Sequence, residues 1–435
     1  MITPTDILIL IIVGALFALS LTIHFLLTDR VRRQIKSTST PTPADSVPAA
    51  DGGATADAEA AVAADDLFAN VPEADEPAVA TDNATDNAVP KPFLSVIVTT
   101  CDQAELLTAN LPLLLQQDYQ GPYEVIVVND NSSDDTADVL ERLKLSYPHL
   151  RSTFTSSTVR RISRKKLALT MGIKAARGEW VVITEADCRP TPQWLSTLAA
   201  QMDADADCLC AHTRLQPVWG RREGQSRLGS LCRSFYALLA DVRLLSAALA
   251  HQGYMALSTN MAYRTALFFQ VKGFSGHLNL ERGDDDIFVS ENIPARRVCA
   301  AVGSEAAVVR PTSVSHRWKL EQTGRRVTRR YLRPLMPLLW SVQTLTYLLF
   351  ALAVPAAIVC AILWSHWLLL GIVCAVWALH YATFVVTLRP VERYYGEQPF
   401  AFYLPLLGLV AACYSARFAV AHILMPKSTF RRKQL

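Results

Sequence analysis

The chain has 435 residues and a net charge of +3, and half of its residues are apolar. This length allows two or three domains, and so small a charge gives no indication of a nucleic-acid partner. The nine cysteines are an odd number and are scattered, which excludes a disulfide framework and suits a reducing compartment. Cys208-x-Cys210 has no second pair nearby, so a zinc site is not expected.

The first 36 residues are predicted to be a transmembrane anchor. Ile7 to Leu27 contains no Asp, Glu, Lys or Arg and is long enough to cross a hydrocarbon core of ~30 Å at ~1.5 Å per residue. A basic cluster follows it, and the positive-inside rule then places the downstream chain in the cytoplasm: Arg30, Arg32, Arg33 and Lys36.

Residues 37–90 are predicted to be a disordered acidic linker. They contain eleven Asp or Glu residues and no Lys or Arg, and they almost lack large apolar side chains. Such a segment cannot bury enough apolar surface to offset its chain entropy.

Residues 91–335 are predicted to form an α/β domain with a mostly parallel sheet. Apolar strands at 94–100, 123–128 and 180–183 alternate with helical patterns at 104–117 and 166–176. Strands that alternate with helices at this spacing are typical of doubly wound folds. The middle of the domain, Trp194 to Leu249, is predicted to be largely helical.

Residues 336–435 are predicted to return to the membrane. Thr344–Trp364 and Trp367–Thr387 lack acidic and basic residues and are joined by two residues, which favours a helical hairpin. Arginines on both sides of the hairpin place its entry and exit in the cytoplasm. The segment 402–425 contains Pro405 and Arg417, so an interfacial or re-entrant segment is favoured over a third C-terminal span.

Two carboxylates follow the apolar strand at 180–183. Ligands of open α/β sheets bind outside the carboxyl ends of the strands, and Glu185 and Asp187 lie on one side of an extended backbone. Two such oxygens suit a hard divalent cation that keeps open positions for a diphosphate. The alternative is a solvated acidic turn.

Two further acidic sites are candidates for chemistry. Asp130 follows the second strand, where a carboxylate accepts hydrogen bonds from a ribose or a base, although an Asx turn is the commoner outcome. The triplet 284–286 suits a general base, or alternatively a solvated or calcium-binding loop. If its backbone is strand-like, Asp285 points away from its two neighbours.

The order of these motifs resembles family 2 glycosyltransferases of the GT-A fold, from Leu94 to about Arg326. The sequence V-V-N-D-N-S-S-D at 127–134 is similar to the family's V-D-D-G-S-x-D, and E-A-D-C-R-P at 185–190 is similar to D-A-D-x-x-P. The other similar segments are 94–98, 165–172, 253–264, 283–286 and 322–326.

The resemblance implies how a donor is bound. Asp130 would hold the uridine and Lys165 would lie near the nucleotide, while Asp187 and Glu185 would bind Mg²⁺ or Mn²⁺ on the diphosphate. Three residues near the end of the domain would face the diphosphate and the acceptor channel: Gln322, Arg325 and Arg326.

The resemblance also implies the catalytic group and shows where this chain departs from the family. Asp285, beside Asp284, would deprotonate the acceptor hydroxyl, and in-line attack would invert the anomeric configuration. Asn129 and Asn131 stand where the family has Asp and Gly, and Glu185 stands for Asp. Arg326 replaces a Trp, which weakens the case for a processive polymerase.

The sequence therefore predicts a multi-pass protein of the inner (cytoplasmic) membrane with a cytoplasmic catalytic domain. Its expected activity is the metal-dependent, inverting transfer of a hexose from a UDP-sugar to a lipid-linked or polysaccharide acceptor of the cell envelope. The alternative is a degenerate glycosyltransferase-like scaffold of an envelope complex. The presence of Asp130, Asp187 and Asp285 argues against that alternative, and the small number of membrane spans argues against a transporter.

Overall fold

The computed structural model describes residues 4–39, 91–155, 163–218, 220, 226–312 and 315–424. Most of the predicted acidic linker lies outside the described residues, so the prediction of disorder there stays a prediction.

The described elements alternate between strand and helix through the central part of the chain. The strands are β1 (Leu94–Thr100), β2 (Tyr123–Asn129), β3 (Leu150–Phe154), β4 (Trp180–Glu185), β5 (Arg189–Pro190), β6 (Cys208–Ala211), β7 (Thr213–Gln216), β8 (Met261–Arg264), β9 (Val298–Ala301) and β10 (Val308–Pro311). The helices are α1 (Pro4–Ser39), α2 (Ala104–Leu115), α3 (Thr136–Ser146), α4 (Arg164–Ala175), α5 (Trp194–Ala199), α6 (Arg227–Leu249), α7 (Thr265–Gln270), α8 (Asp286–Asn292), α9 (Ser315–Thr328), α10 (Leu335–Leu363), α11 (Trp367–Tyr394) and α12 (Leu404–Leu424).

The main sheet has the order β3-β2-β1-β4-β8-β6-β9, and a small sheet has the order β5-β10-β7. The strands β3, β2, β1 and β4 are parallel, whereas β8 runs antiparallel to both β4 and β6. The predicted α/β fold class with a mostly parallel sheet is therefore confirmed.

The first strand shows why the sheet is covered on both faces. Val96 and Val98 belong to one buried cluster with residues of α2 and α3, such as Leu111 and Leu140. Ile97, whose side chain points to the opposite face, belongs to a second cluster with residues of α4. A strand buried on both faces reads as a continuous apolar run, which explains its clear signal in the sequence.

The prediction of a largely helical region from Trp194 to Leu249 is wrong in its middle. Helices α5 and α6 are present, but β6 and β7 lie between them. All four residues of β6 are buried because the strand lies between β8 and β9 in the main sheet. A four-residue apolar run is too short to reveal a strand by periodicity.

Three of the described helices, α1, α10 and α11, are long and apolar enough to cross a membrane. Helix α1 extends beyond its predicted span at both ends, α10 begins before its predicted span and ends one residue short of Trp364, and α11 begins at Trp367 as predicted and ends later. Helix α12 has a shorter apolar stretch, Leu406–Phe418, and packs against α6, α9 and α10. Its placement in or on the membrane stays a prediction.

Polar side chains join α1 to α11 along their length. The Nε2 atom of His24 lies 2.6 Å from the hydroxyl of Thr387, and Ser20 Oγ lies 2.9 Å from His380 Nε2. At the start of α1, a carboxylate oxygen of Asp6 lies 2.8 Å from Nδ1 of His366, in the turn between α10 and α11. The start of α1 and the turn of the hairpin therefore lie at the same end of the helix bundle.

A buried ionic cluster ties the segment after α11 to the α/β domain. The ring of His212 lies 3.1 Å from Asp241 on α6 and 3.0 Å from Glu397, and it packs against the ring of Tyr395. Burial lowers the pKa of His212, but the two carboxylates outweigh burial and raise it to about 9. The imidazolium form is therefore the one that stabilises the fold.

This cluster predicts a pH-dependent stability. A histidine whose pKa is raised in the folded state stabilises fully below its ordinary pKa of ~6.5 and loses that contribution as the pH rises through about 9. In detergent, the melting temperature of the wild type is expected to fall between pH 7 and pH 10. The His212→Asn variant should lack this fall, whereas the exposed control His251→Asn should keep it. Equal slopes for the wild type and His212→Asn would contradict the assignment.

Candidate active site

Polar residues meet at the carboxyl edge of the parallel strands. Thr99 of β1 is paired with Glu185 of β4, and Thr100 is paired with Asn129 of β2. Asp130 continues this edge, because its N–H donates to the carbonyl oxygen of Thr100 over 2.8 Å. Glu185 and Asp130 therefore lie at the same edge of the sheet, as the sequence predicts.

The turn after β2 accommodates both departures from the family's motif at this point. The side-chain oxygen of Asn129 accepts the N–H of Ser132 over 2.9 Å, which forms an Asx turn. Asn131 has a φ of 54°, in the left-handed region where Asn is tolerated in place of Gly. The Asx turn is made by Asn129, and Asp130 is not needed for it.

The carboxylate of Asp130 is held by two side chains. Arg164, at the start of α4, donates from Nε over 2.9 Å, and Thr155 Oγ1 donates over 2.5 Å. The carboxylate is therefore fixed in orientation at the strand end, where the resemblance predicts the uridine.

Lys165 lies at the centre of the site. Its Nζ atom is 2.9 Å from Glu185, 3.1 Å from Asp284 and 2.6 Å from the hydroxyl of Ser258. Partial burial lowers the pKa of Lys165, but the charges of Asp284 and Glu185 outweigh burial and leave it raised. The lysine therefore joins the end of β4 to the acidic triplet as a full positive charge.

Arg310, on β10, binds both carboxylates of the predicted metal motif. Its guanidinium is 3.1 Å from Glu185 and 2.8 Å from Asp187. Burial raises the pKa of Asp187, and the charge of Arg310 opposes that rise. Burial also raises the pKa of Glu185, but Lys165 and Arg310 outweigh it and lower the pKa overall.

Asp284 and Asp285 form a turn and Asp286 begins α8, so the condition of a strand-like backbone through the triplet is not met. Gly283 has a φ of 111°, and a Cβ atom at this position would collide with the side chain of Ile287. This tight turn, which a glycine makes readily, prevents the alternation of side chains that a strand would give.

The three carboxylates of the triplet have different environments. Asp284 is buried against Lys165, and Asp285 is partly exposed and accepts the N–H of Ser258 over 3.2 Å. Asp286 is buried and accepts a hydrogen bond from the hydroxyl of Thr328. Burial and the charge of Asp285 raise the pKa of Asp286 to about 7. Of the three carboxylates, Asp285 is thus the one that is partly exposed and also bonded to Ser258, which Lys165 contacts.

A second lysine holds the loop before the triplet. Lys166 is fully buried, and its Nζ atom lies 2.9 Å from Nδ1 of His277 and 2.7 Å from the carbonyl oxygen of the same residue. Burial lowers the pKa of Lys166 to about 8. Ser163 adds a hydrogen bond of 2.9 Å to the carbonyl oxygen of Glu281, so the start of α4 anchors the loop.

Gln322, Arg325 and Arg326 lie on α9, apart from the carboxylates of β4. They line a cavity of about 350 Å³ between α6, α9, α10 and α12, which we call the interfacial cavity. Asp286 lines the same cavity. The structure therefore places these three residues on the side toward the apolar helices, and their roles at the diphosphate and in an acceptor channel stay predictions.

Sequence reasoning missed Ser258 and Arg310. Ser258 is one of several small polar residues in an irregular segment, and nothing in that segment singles it out. Arg310 is the one charged residue of β10, between Val309 and Pro311, and this contrast was the available signal.

The donor atoms of Glu185 and Asp187 fit a magnesium or manganese ion in chemical type. Both side chains are partly exposed at the end of β4, and Mg²⁺ is commonly held by one or two carboxylates together with substrate phosphates and water. Within the described residues, no group of three or more His, Cys, Asp or Glu side chains is placed to hold a metal ion. A metal here would take its other ligands from the donor and water, and it would compete with Arg310.

Residues 95–265 match the family described as Glycosyl transferase family 2. The hyaluronan synthase of Pasteurella multocida is 29% identical over 119 residues, which are 26% of this chain and 11% of that protein. Glycosyltransferase AglE of Haloferax volcanii is 29% identical over 105 residues, which are 24% of this chain and 33% of that protein. The chain thus spans between about a tenth and a third of the length of these curated relatives.

A mannosyltransferase of Pyrobaculum calidifontis, solved with GDP-Man and Mn²⁺, is 20% identical and has a TM-score of 0.46. The alignment covers 78% of this chain and 90% of that one. The family match ends before the acidic triplet, Arg310 and α9, so it leaves their roles open. It does include the ends of β2 and β4 and the start of α4, where Asp130, Lys165 and Asp187 lie. Residues 95–265 are therefore similar to Glycosyl transferase family 2, and long apolar helices lie before and after the matched region.

Proposed function

We propose that the protein is an inverting glycosyltransferase of the inner membrane that moves a hexose from UDP to a lipid-linked or polysaccharide acceptor of the cell envelope. The observation that carries this proposal is the arrangement around Lys165. One lysine joins Glu185 at the sheet edge to Asp284 in the triplet, within 2.9 and 3.1 Å. Lys165 therefore contacts both Glu185, on the proposed donor side, and Asp284, on the proposed acceptor side.

In this proposal Asp130 binds the uridine, and Lys165 and Arg310 supply positive charge beside the diphosphate. Asp285 accepts the proton of an acceptor hydroxyl, whose oxygen bonds to the anomeric carbon as the bond to the diphosphate oxygen breaks. Preorganised positive charge beside a leaving group is commonly the largest catalytic contribution. Mg²⁺ or Mn²⁺, held by Asp187 and Glu185, would add Lewis-acid stabilisation of the leaving diphosphate.

A donor screen tests the activity. Full-length protein in detergent would be incubated with each UDP-sugar in turn, and with GDP-mannose as a comparison, and nucleotide release would be measured with and without Mn²⁺. One UDP-sugar is expected to give release well above the others. Binding of a UDP-sugar without any release or transfer, across acceptors extracted from membranes, would instead support the degenerate scaffold.

The membrane orientation gives a separate prediction. The hydroxyl of Thr38 at the end of α1 lies 3.4 Å from that of Tyr394 at the end of α11, so both helices end on one side. Basic residues near both ends favour the cytoplasm for that side. Reporter fusions after Lys36 and after Arg333 are expected to score cytoplasmic, and a fusion after Ser365 should score outside. A cytoplasmic score at Ser365 or an outside score at Lys36 would overturn this orientation.

A further inference from the structure

The lining of the interfacial cavity combines charged and apolar side chains. Its charged part includes Arg243 of α6, Arg326 of α9, Arg329 just after α9, and Asp286. Its apolar part comes largely from α10 and α12, for example from Leu348 and Ala412. Among the described helices, α10 is one of three that are long and apolar enough to cross a membrane. The cavity therefore joins the acidic triplet to a helix suited to the bilayer.

The positive charges of Arg243, Arg326 and Arg329 are poorly neutralised by the protein. Burial lowers the pKa of Arg243, and the charges of Arg326 and Arg329 lower it further. Arg326 donates to the carbonyl oxygen of Ser415 over 3.1 Å, and Arg329 donates to Ser341 Oγ over 2.5 Å, so both bind neutral groups. Three guanidinium groups that crowd one another in a low-dielectric cavity favour an anion, and a phosphate matches their fork geometry.

Two carboxylates, Asp241 and Asp286, do not neutralise the charge of these arginines. Asp241 is already held in the buried cluster with His212, at 3.1 Å. Asp286 has a pKa raised to about 7, chiefly by burial, so near neutral pH a large part of it is protonated. A net positive charge is therefore left at the wall of the cavity.

Polar atoms of the cavity wall also lack a partner among the described residues. They are Tyr254 Oη, Gln343 Oε1, Arg325 Nε and Trp340 Nε1, all of which are buried. Tyr254 is fully buried and Gln343 is 8% exposed, so unpaired polar atoms on both are costly. Their presence along one cavity indicates that a polar group of a ligand binds there.

The apolar part of the lining argues for a lipid rather than a sugar polymer. A glycan needs hydrogen-bond partners along its whole length. Beside the polar Gln343, α10 and α12 contribute Leu345, Leu348, Ala411 and Ala412, which offer only apolar side chains. Alkyl chains suit such a wall, because burying a CH₂ group stabilises by ~0.8 kcal/mol. The cavity thus matches a molecule with a hydroxylated head at the triplet, a phosphate at the arginines and an apolar tail along α10 and α12.

We propose that the interfacial cavity binds the acceptor, and that the acceptor is an anionic membrane lipid whose phosphate carries a hydroxylated headgroup. Arg243, Arg326 and Arg329 bind the phosphate, and α10 and α12 bind the chain. This assignment deepens the proposed function and rests on it for the role as acceptor. The reaction is the one proposed above. The headgroup hydroxyl loses its proton to Asp285, its oxygen bonds to the sugar, and the nucleoside diphosphate leaves.

Binding is measurable without any donor. Native mass spectrometry of the full chain in detergent would titrate phosphatidylinositol, a diacylglycerol glucoside without phosphate, and inositol 1-phosphate without chains. Phosphatidylinositol is expected to bind at least about tenfold more tightly than either comparison probe. Equal binding of the glucoside would overturn the phosphate site, and equal binding of inositol 1-phosphate would overturn the lipid site.

Variants locate the binding site on the protein. Arg243→Gln combined with Arg326→Gln is expected to weaken phosphatidylinositol binding at least about tenfold, and Ala412→Phe should do the same by filling space between the apolar side chains of the cavity. The matched control is Arg330→Gln, since Arg330 is exposed, stacks on Tyr331 and does not line the cavity. An equal loss in Arg330→Gln would overturn the site. Melting temperatures confirm that each variant is folded.

The two proposals fail separately in these experiments. If phosphatidylinositol binds through the arginines but no nucleotide sugar is turned over, the proposed function fails and the lipid site stands. If a UDP-sugar is turned over onto a soluble acceptor and no lipid is bound preferentially, the lipid site fails alone.

Discussion

Replacing Asp187 with Asn is expected to reduce turnover by at least about a thousandfold. Metal stabilisation of a leaving oxygen contributes several kcal/mol, and each ~1.4 kcal/mol changes the rate tenfold. Asp187 lies two residues after Glu185 at the end of β4, where its carboxylate is bound by Arg310. The amide of Asn keeps an oxygen for Arg310 but is a poor ligand for a hard cation. The measurement is UDP release with the donor that the screen identifies, at saturating Mn²⁺.

Two controls separate a metal effect from a loss of folding. Asp138→Asn changes an exposed carboxylate on α3 that belongs to neither the metal motif nor the acidic triplet, and it should leave turnover unchanged. Excess chelator should abolish turnover of the wild type, and added Mn²⁺ should restore it. Full activity of the wild type in chelator would show that Lys165 and Arg310 neutralise the diphosphate without a metal.

Replacing Asp285 with Asn is expected to lower kcat by about 10² to 10⁴, the usual contribution of a general base. Donor affinity should change little, because this carboxylate faces the acceptor in the proposed arrangement. Asp286→Asn should cost less, because that side chain is buried and held by Thr328 and by the N–H of Ile287. Both variants should be compared for kcat and for donor binding.

A pH profile distinguishes the two residues independently. The pKa of Asp286 is raised to about 7, chiefly by burial, so a base at this position would make the rate rise through neutral pH. If the wild type shows such a rise and Asp286→Asn loses it together with turnover, the base is Asp286. If Asp285→Asn loses turnover and Asp286→Asn keeps the profile of the wild type, the assignment to Asp285 holds.

The ends of the parallel strands were predictable because burial on both faces gives continuous apolar runs, and the residue after such a run lies at the sheet edge. Asp130, Glu185 and Asp187 were found in this way. Arg310 was not, because β10 reaches Asp187 through β5, a strand of two residues that no local pattern reveals. The conformation of the triplet was missed for a similar reason, since it depends on one turn at Gly283.

The contacts of α1 mean that the amino-terminal helix is more than a tether. Its polar bonds to α11 and the bond from Ser246 Oγ of α6 to the carbonyl oxygen of Leu26 make it part of the scaffold beside the cavity. A foreign anchor of equal length would retain the protein at the membrane but would lack these partners. The domain and its membrane segments are therefore not interchangeable modules, and chimaeras that exchange α1 alone should assemble poorly even when they insert correctly.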